Sequence, residues 1–129
     1  MMTIKAEEAV YELESKILEM EGVKTIHMCL NNQGHIQLSL MVIHPEYRKR
    51  GVGSKVVDMI CEYADEHCMK IVLTPADRKD KFGTTSKARL IKFYRRFGFY
   101  LNKGRNKDFT ISDAMIRRPL SDIAGVKAL

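Results

Sequence analysis

Apolar residues Ala6, Val10, Leu13, Ile17 and Met20 recur every three or four positions and stop short of Gly22. That period, ended by a residue able to take the left-handed conformation, predicts an amphipathic first helix. The period then drops to two. Ile26, Met28 and Leu30, the turn Asn31-Asn32-Gln33-Gly34, and Ile36, Leu38, Leu40 and Val42 alternating with Gln37, Ser39, Met41 and Ile43 predict two antiparallel strands joined as a hairpin.

Past Pro45 the helical period returns, with Val52, Val56, Ile60, Cys61, Ala64 and Cys68 on one side, ahead of the short run Ile71-Val72-Leu73-Thr74. Strand, helix and strand in that order form a βαβ unit with parallel strands and a right-handed crossover. The strand over 36–43 is therefore expected beside the one over 71–74, with ligands gathering at their carboxyl ends. Thr84, Thr85 and Ser86 are capping candidates for a third helix with the stripe Leu90, Ile91, Tyr94 and Phe97, closing at Gly98. Phe99 to Leu101 and Phe109 to Ile116 read as strands joined by the polar turn Asn102 to Lys107, and residues 119–129 show no clear pattern.

These elements make a mixed α/β chain, and its 129 residues, 45% hydrophobic and 29% charged, fit a single globular domain over 1–129. A chain of this length buries roughly two-thirds of its unfolded surface, enough for a core without disulfide or metal staples. Cys29, Cys61 and Cys68 cannot all pair, no signal-peptide stretch opens the chain, and no run approaches the roughly 20 apolar residues that span a bilayer. A cytoplasmic protein with no membrane partner is expected. His27, His35, His44 and His67 lack metal-ligand spacing, so no metal site is expected.

The formal charge of +6 favours polyanionic ligands. It is unevenly placed: residues 1–21 carry six acids and two bases, whereas Arg78 to Lys107 carries eleven bases and the single acid Asp80. As a solvated face this block needs no explanation; as a functional one it suits an acidic or phosphate-bearing acceptor, with Phe82 as an apolar anchor.

The sharpest local feature is Val42-Ile43-His44-Pro45-Glu46-Tyr47-Arg48-Lys49-Arg50-Gly51-Val52-Gly53-Ser54, in which a strand ends, a basic turn follows and two glycines open a helix. Glycines let main chain approach an anion, and the first helical turn presents unpaired N–H groups at the positive end of the dipole. A nucleotide-triphosphate loop needs four residues between its glycines and then Lys-Ser or Lys-Thr, which Gly51-Val52-Gly53-Ser54-Lys55 does not supply. A dinucleotide fingerprint needs a third glycine where Val56 stands.

Arg48, Gly51 and Gly53 match instead the Arg/Gln-x-x-Gly-x-Gly/Ala loop of the GNAT superfamily of N-acetyltransferases, and Phe93-Tyr94-Arg95-Arg96-Phe97-Gly98-Phe99 resembles that family's Tyr-x-x-x-Gly-Phe signature. The resemblance covers Leu38 to Phe99. It implies a central mixed, largely antiparallel sheet with splayed parallel strands, and acetyl-CoA as acyl donor. On that likeness, amides from Arg50 through Ser54, including Gly51, Val52 and Gly53, hold the pyrophosphate, with Arg48 and Lys49 adding charge. The pantetheine arm pairs with main chain at Met41, Val42 and Ile43, an amide near Val42 meets the oxyanion, and Tyr94 protonates the departing thiolate. Without the signature, Tyr94 is an aromatic core residue.

The implied activity is transfer of an acetyl group to a primary amine by direct attack in a ternary complex, with His35, His44 and Glu46 as positional candidates for the base. Where many members carry Asn seven residues before the tyrosine, this chain has Lys87. Its N-terminal portion has one helix where many relatives have two, which leaves the acceptor wall open or completed by a second subunit in a homodimer. Two rivals use the same features: a non-catalytic acyl-CoA-binding regulatory module, and a basic nucleic-acid-binding domain, for which only weak, non-specific association is expected.

Overall fold

In a computed structural model that describes residues 2–75 and 87–120, with side chains from Glu7 onward, the period-two stretches form β1 (Val23–Leu30) and β2 (Ile36–Ile43). They pair antiparallel, and the Asn31 side chain closes their turn by accepting from the amides of Gln33 and His35. The helical stretches form α1 (Met2–Leu18), α2 (Val52–Glu66) and α3 (Lys87–Arg95), and β3 (Ile71–Leu73), β4 (Tyr100–Leu101) and β5 (Met115–Arg117) complete the set. The capping candidates at 84–86 and the loop with Phe82 lie outside the described residues.

The five strands take the order β1-β2-β3-β5-β4, with β2 and β3 parallel and the other neighbours antiparallel. All three helices contribute to one core: Val10 and Ile17 from α1, Val56, Val57, Ile60 and Ala64 from α2, and Tyr94 from α3 pack with Ile26, Met28, Ile36, Leu38, Ile71 and Leu73. Burial pushes the Cys61 thiol up to about 11, so it is a packing residue held in its neutral form.

The strand expected from Phe109 to Ile116 shrinks to three residues, for a reason that lies in one side chain. Buried Asn102 donates to the carbonyls of Asp108 (3.1 Å) and Ile111 (3.0 Å) and accepts from the Asp108 amide (2.8 Å). It thereby curls residues 102–111 into a loop instead of a ladder. Ile111 then packs on Val72 and Ile116, covering part of the second sheet face. The same loop reaches the β1–β2 turn, where Gln33 donates to the Thr110 carbonyl.

Two contacts fix the elements around the carboxyl end of β2. The amide of His44 donates to the carbonyl of Gly22 at 2.8 Å, and Tyr47, in the 3-10 turn Pro45–Tyr47, donates its hydroxyl to Glu21 Oε1 at 2.9 Å. Gly22 has φ +95°, and a Cβ there would stand 2.9 Å from the Tyr47 ring carbon Cγ. Only glycine meets both demands. Farther along, Arg117 forms a bidentate pair with Asp65 at 2.9 and 3.1 Å and donates Nε to the Phe97 carbonyl at 2.6 Å, tying β5 to the ends of α2 and α3.

Gly22→Ala is expected to lower stability by about 2 kcal/mol or more, from left-handed strain plus the clash with an immobile ring, read as a shifted denaturant midpoint. Arg117→Met leaves a half-buried carboxylate unpaired and is expected to remove roughly 3 kcal/mol. Burial opposes ionisation of Asp65, but the Arg117 hydrogen bonds, the Leu120 amide and the Arg117 charge outweigh it and hold its carboxyl below the ordinary 3.8. That contribution is complete above the ordinary value and is lost as pH falls beneath it, so the acid-side decline of wild-type stability should flatten in Arg117→Met.

Candidate functional site

β2 and β3 share only the pairs Ile36 with Ile71, Gln37 with Val72 and Leu38 with Leu73. β3 ends there: the Thr74 hydroxyl turns to accept from the Ala114 amide, and Pro75 has no N–H to offer a longer ladder. β2 continues to Ile43 with β1 alone as partner. Its register slips between His27 and Met28, which oppose Leu40 and Leu38, and leaves Ser39 as an extra residue. A bulge bends and twists its strand, and this one sits where the pairing of β2 with β3 ends. Met41, Val42 and Ile43 lie along this half-open stretch, each partly exposed.

The basic turn follows directly. Arg48 donates Nε to the Ile43 carbonyl at 3.3 Å, and Arg50 lies over the Tyr47 ring at 5.5 Å. Lys49 (φ 67°) and Gly51 (φ 81°) both adopt left-handed backbone. Such a conformation costs a non-glycine residue on the order of 1 kcal/mol, and it persists where surrounding structure dictates it. Gly51 caps α2 without a side-chain hydrogen bond, and the Lys55 amide bonds back to the Gly51 carbonyl at 3.0 Å. The amides of Val52, Gly53 and Ser54 therefore precede the first intrahelical bond and point out of the helix start.

Three side chains from two elements meet over Gly53. A Cβ at that position would stand 3.7 Å from Phe93, 3.8 Å from Met41 and 3.9 Å from Ile43. Next to it, Ser54 Oγ accepts from Arg96 Nη2 at 3.4 Å. The fold thus brings the predicted Met41, Ile43, Gly53 and Ser54 together with the carboxyl-terminal half of α3. Tyr94 sits one residue beyond Phe93, 7% exposed, edge-on to Phe93 at 5.1 Å and to Phe99 at 5.4 Å. Burial pushes its phenol up to about 12.

The candidate bases separate by position. His44 and Glu46 border the turn, whereas His35 precedes the far end of β2, about 23 Å away at roughly 3.3 Å per residue. Burial, then the Lys70 charge, lowers the His35 pKa against the pull of Asp108 and Asp113. A cavity of about 360 Å³ lined by Glu7, Tyr11, Met28 and Leu30 also belongs to that distant end of the sheet. Lys103, Arg105 and Lys107 are exposed on the loop after β4.

Sequence reasoning missed the Arg96 contact with Ser54 and the anchoring of Tyr47 on Gly22. Arg96 stands two residues beyond Tyr94 inside the quoted signature, so its presence near the loop was readable once the two motifs were known to meet. Among the described residues no cluster of three His, Cys, Asp or Glu side chains could hold a metal ion, and no helix is long and apolar enough to cross a membrane.

Compared with solved structures, the anti-CRISPR protein AcrVA5 superposes with a TM-score of 0.56 at 22% identity, covering 76% of this chain and 92% of that one. A putative GNAT acetyltransferase from Bacteroides thetaiotaomicron gives 0.47 at 20% identity over 80% of this chain and 60% of that one. A GNAT-family acetyltransferase from Staphylococcus aureus gives 0.47 at 18% over 70% and 65%, so the chain spans less than two-thirds of either larger relative. At these identities the likeness is one of fold. No curated protein matches the sequence. Residues 7–101, however, match the family model described as an acetyltransferase (GNAT) domain, and the chain belongs to that family.

Proposed function

We propose that the protein moves an acetyl group from acetyl-CoA to a primary amine by direct attack within a ternary complex. The observation that carries this reading is the end of β2–β3 pairing at Leu38 and Leu73, on the strand that leads into a helix start whose first amides have no intrahelical partner. The amides from Arg50 to Ser54 meet the diphosphate, and the field of Arg48, Lys49 and Arg50 draws it in. The amide-bearing pantetheine arm takes the place of a strand along Met41, Val42 and Ile43, which puts the thioester near the carboxyl end of β2.

The nitrogen of a neutral amine then attacks the thioester carbonyl carbon, and the oxyanion forms near the Val42 amide. An amine of pKa about 10.4 must first lose its proton, through His44, Glu46 or a chain of water. When the carbon–sulfur bond breaks, the thiolate takes the proton of Tyr94, and the proton that the nitrogen sheds as it becomes an amide restores the phenol. Burial keeps the phenol in its acid form, pushed up to about 12, and a thiolate formed in the same desolvated surroundings is a stronger base than in water. The route needs no cysteine acyl-enzyme, and the Cys61 thiol is buried and pushed up to about 11. The exposed bases Lys103, Arg105 and Lys107 suit an amine carried on an acidic or phosphate-bearing acceptor.

Titration with acetyl-CoA, followed by thiol release over an amine panel, tests the reading; no binding at millimolar cofactor overturns it. Ser54→Asp is expected to leave thermal stability unchanged or raised, because an acid in the first helical turn suits the dipole and reaches Arg96, while acetyl-CoA affinity falls about tenfold or more. Tyr94→Phe is expected to lower kcat on the order of a hundredfold with acetyl-CoA affinity unchanged. Because the protonated phenol is the active form and titrates only near 12, the ratio of wild-type to variant kcat should stay level from pH 7 to 10. A ratio that collapses within that range would assign the proton to another group.

A further inference from the structure

We propose that Arg96 is a ligand of the cofactor diphosphate, placed just past the end of α3 and closing over the anion from the side opposite the α2 amides, so that it makes the site select an acyl group borne on CoA over one borne on pantetheine alone. This rests on the acetyl-CoA reading above and assigns it a residue outside the loop that the sequence pattern identifies.

Arg96 sets an exposed guanidinium beside the start of a helix. Its Nη2 lies 3.4 Å from Ser54 Oγ, in the first turn of α2, where the helix presents its positive end. Its remaining contacts among the described residues are two aromatic faces, Phe93 at 5.4 Å and Phe97 at 6.0 Å. None of these partners is an anion, so the charge of this exposed head is available to one. An anion seated between the two accepts from the α2 amides and from the planar fork of Arg96.

Other arginines of the chain show what a structural role looks like. Arg117 is buried, paired in two bonds with Asp65 and bound to a carbonyl. Arg48 donates Nε to the Ile43 carbonyl, so its side chain too is tied to the protein. Arg96 is held differently: stacking on Phe93 and Phe97 fixes the direction of its head without neutralising it. Phe93 also lies over Gly53, which keeps the head within reach of the helix start.

The test uses the full chain with Arg96→Gln and Arg96→Lys, both checked by thermal melting, and four probes: acetyl-CoA, its dephospho form lacking the 3′-phosphate, S-acetylpantetheine and inorganic pyrophosphate. Arg96→Gln is expected to weaken acetyl-CoA, the dephospho form and pyrophosphate by about tenfold or more, and to leave S-acetylpantetheine within about twofold. Arg96→Lys, a point charge without a fork, should recover part of the loss. Binding of acetyl-CoA and pyrophosphate by Arg96→Gln at wild-type strength overturns the assignment while leaving the acetyl-CoA reading intact. A penalty that disappears with the dephospho form also overturns it, by moving the contact to the 3′-phosphate. Equal loss for S-acetylpantetheine overturns it as a mere packing effect, and wild-type protein that binds no acetyl-CoA removes both claims.

Discussion

The site depends on a ladder that stops early. Main-chain N–H and C=O groups inside a fold must find partners, and β2 finds them on both sides for Ile36 to Leu38 and on one side thereafter. The extra residue Ser39 bends the strand, and Thr74 with Pro75 prevents β3 from following. What results is a short strip of peptide groups at Met41 to Ile43 with a strand partner on one side alone. A ligand with amides of its own is the kind of molecule that such an edge accepts, and pantetheine has two. The same interruption carries the chain into its basic turn, so the free amides at the start of α2 and the half-open edge are consequences of one local event.

Electrostatics divides the arginines by what their surroundings require. A guanidinium inside the fold needs a carboxylate, and Arg117 has Asp65; removing either partner strands the other. A guanidinium at the rim can do with aromatic faces and water, and there its charge remains available to a ligand. The chain's positive excess is thus not a uniform coat. Part of it is spent on internal ties, part stands on the exposed loop after β4, and Arg96 directs part of it at the start of α2.

Much of the architecture was legible because it follows from periods. Five apolar positions at helical spacing define α1, the alternation from Ile36 onward defines β2, and the order strand, helix, strand dictates the parallel pair. Lengths were less legible, because they are set by side chains acting across the fold. Phe109 to Ile116 alternates well enough for a strand, yet Asn102 draws its first half into a loop through carbonyls that no pattern of hydrophobicity encodes. Nor does any local rule put Lys49 in left-handed backbone. The glycines of the basic turn and the aromatic signature of α3 were readable separately; that Phe93 covers Gly53 and Arg96 reaches Ser54 is a property of the packing of α3 against α2.

Tyr94 shows why a core reading and a chemical reading of one residue need not compete. Aromatic neighbours at 5.1 and 5.4 Å and 7% exposure are what the apolar stripe of α3 requires of any large side chain there. Leucine would satisfy that requirement as well. The hydroxyl is what packing does not ask for, and the burial that makes the ring a core residue is also what pushes the phenol to about 12. In the proposed reaction the phenol keeps its proton through the working pH range, and the thiolate that would take it is made more basic by the same desolvation. Packing therefore sets the phenol's acidity: loosening the cluster of Phe93, Tyr94 and Phe99 would lower the phenol toward its ordinary value and weaken its hold on position at the same time.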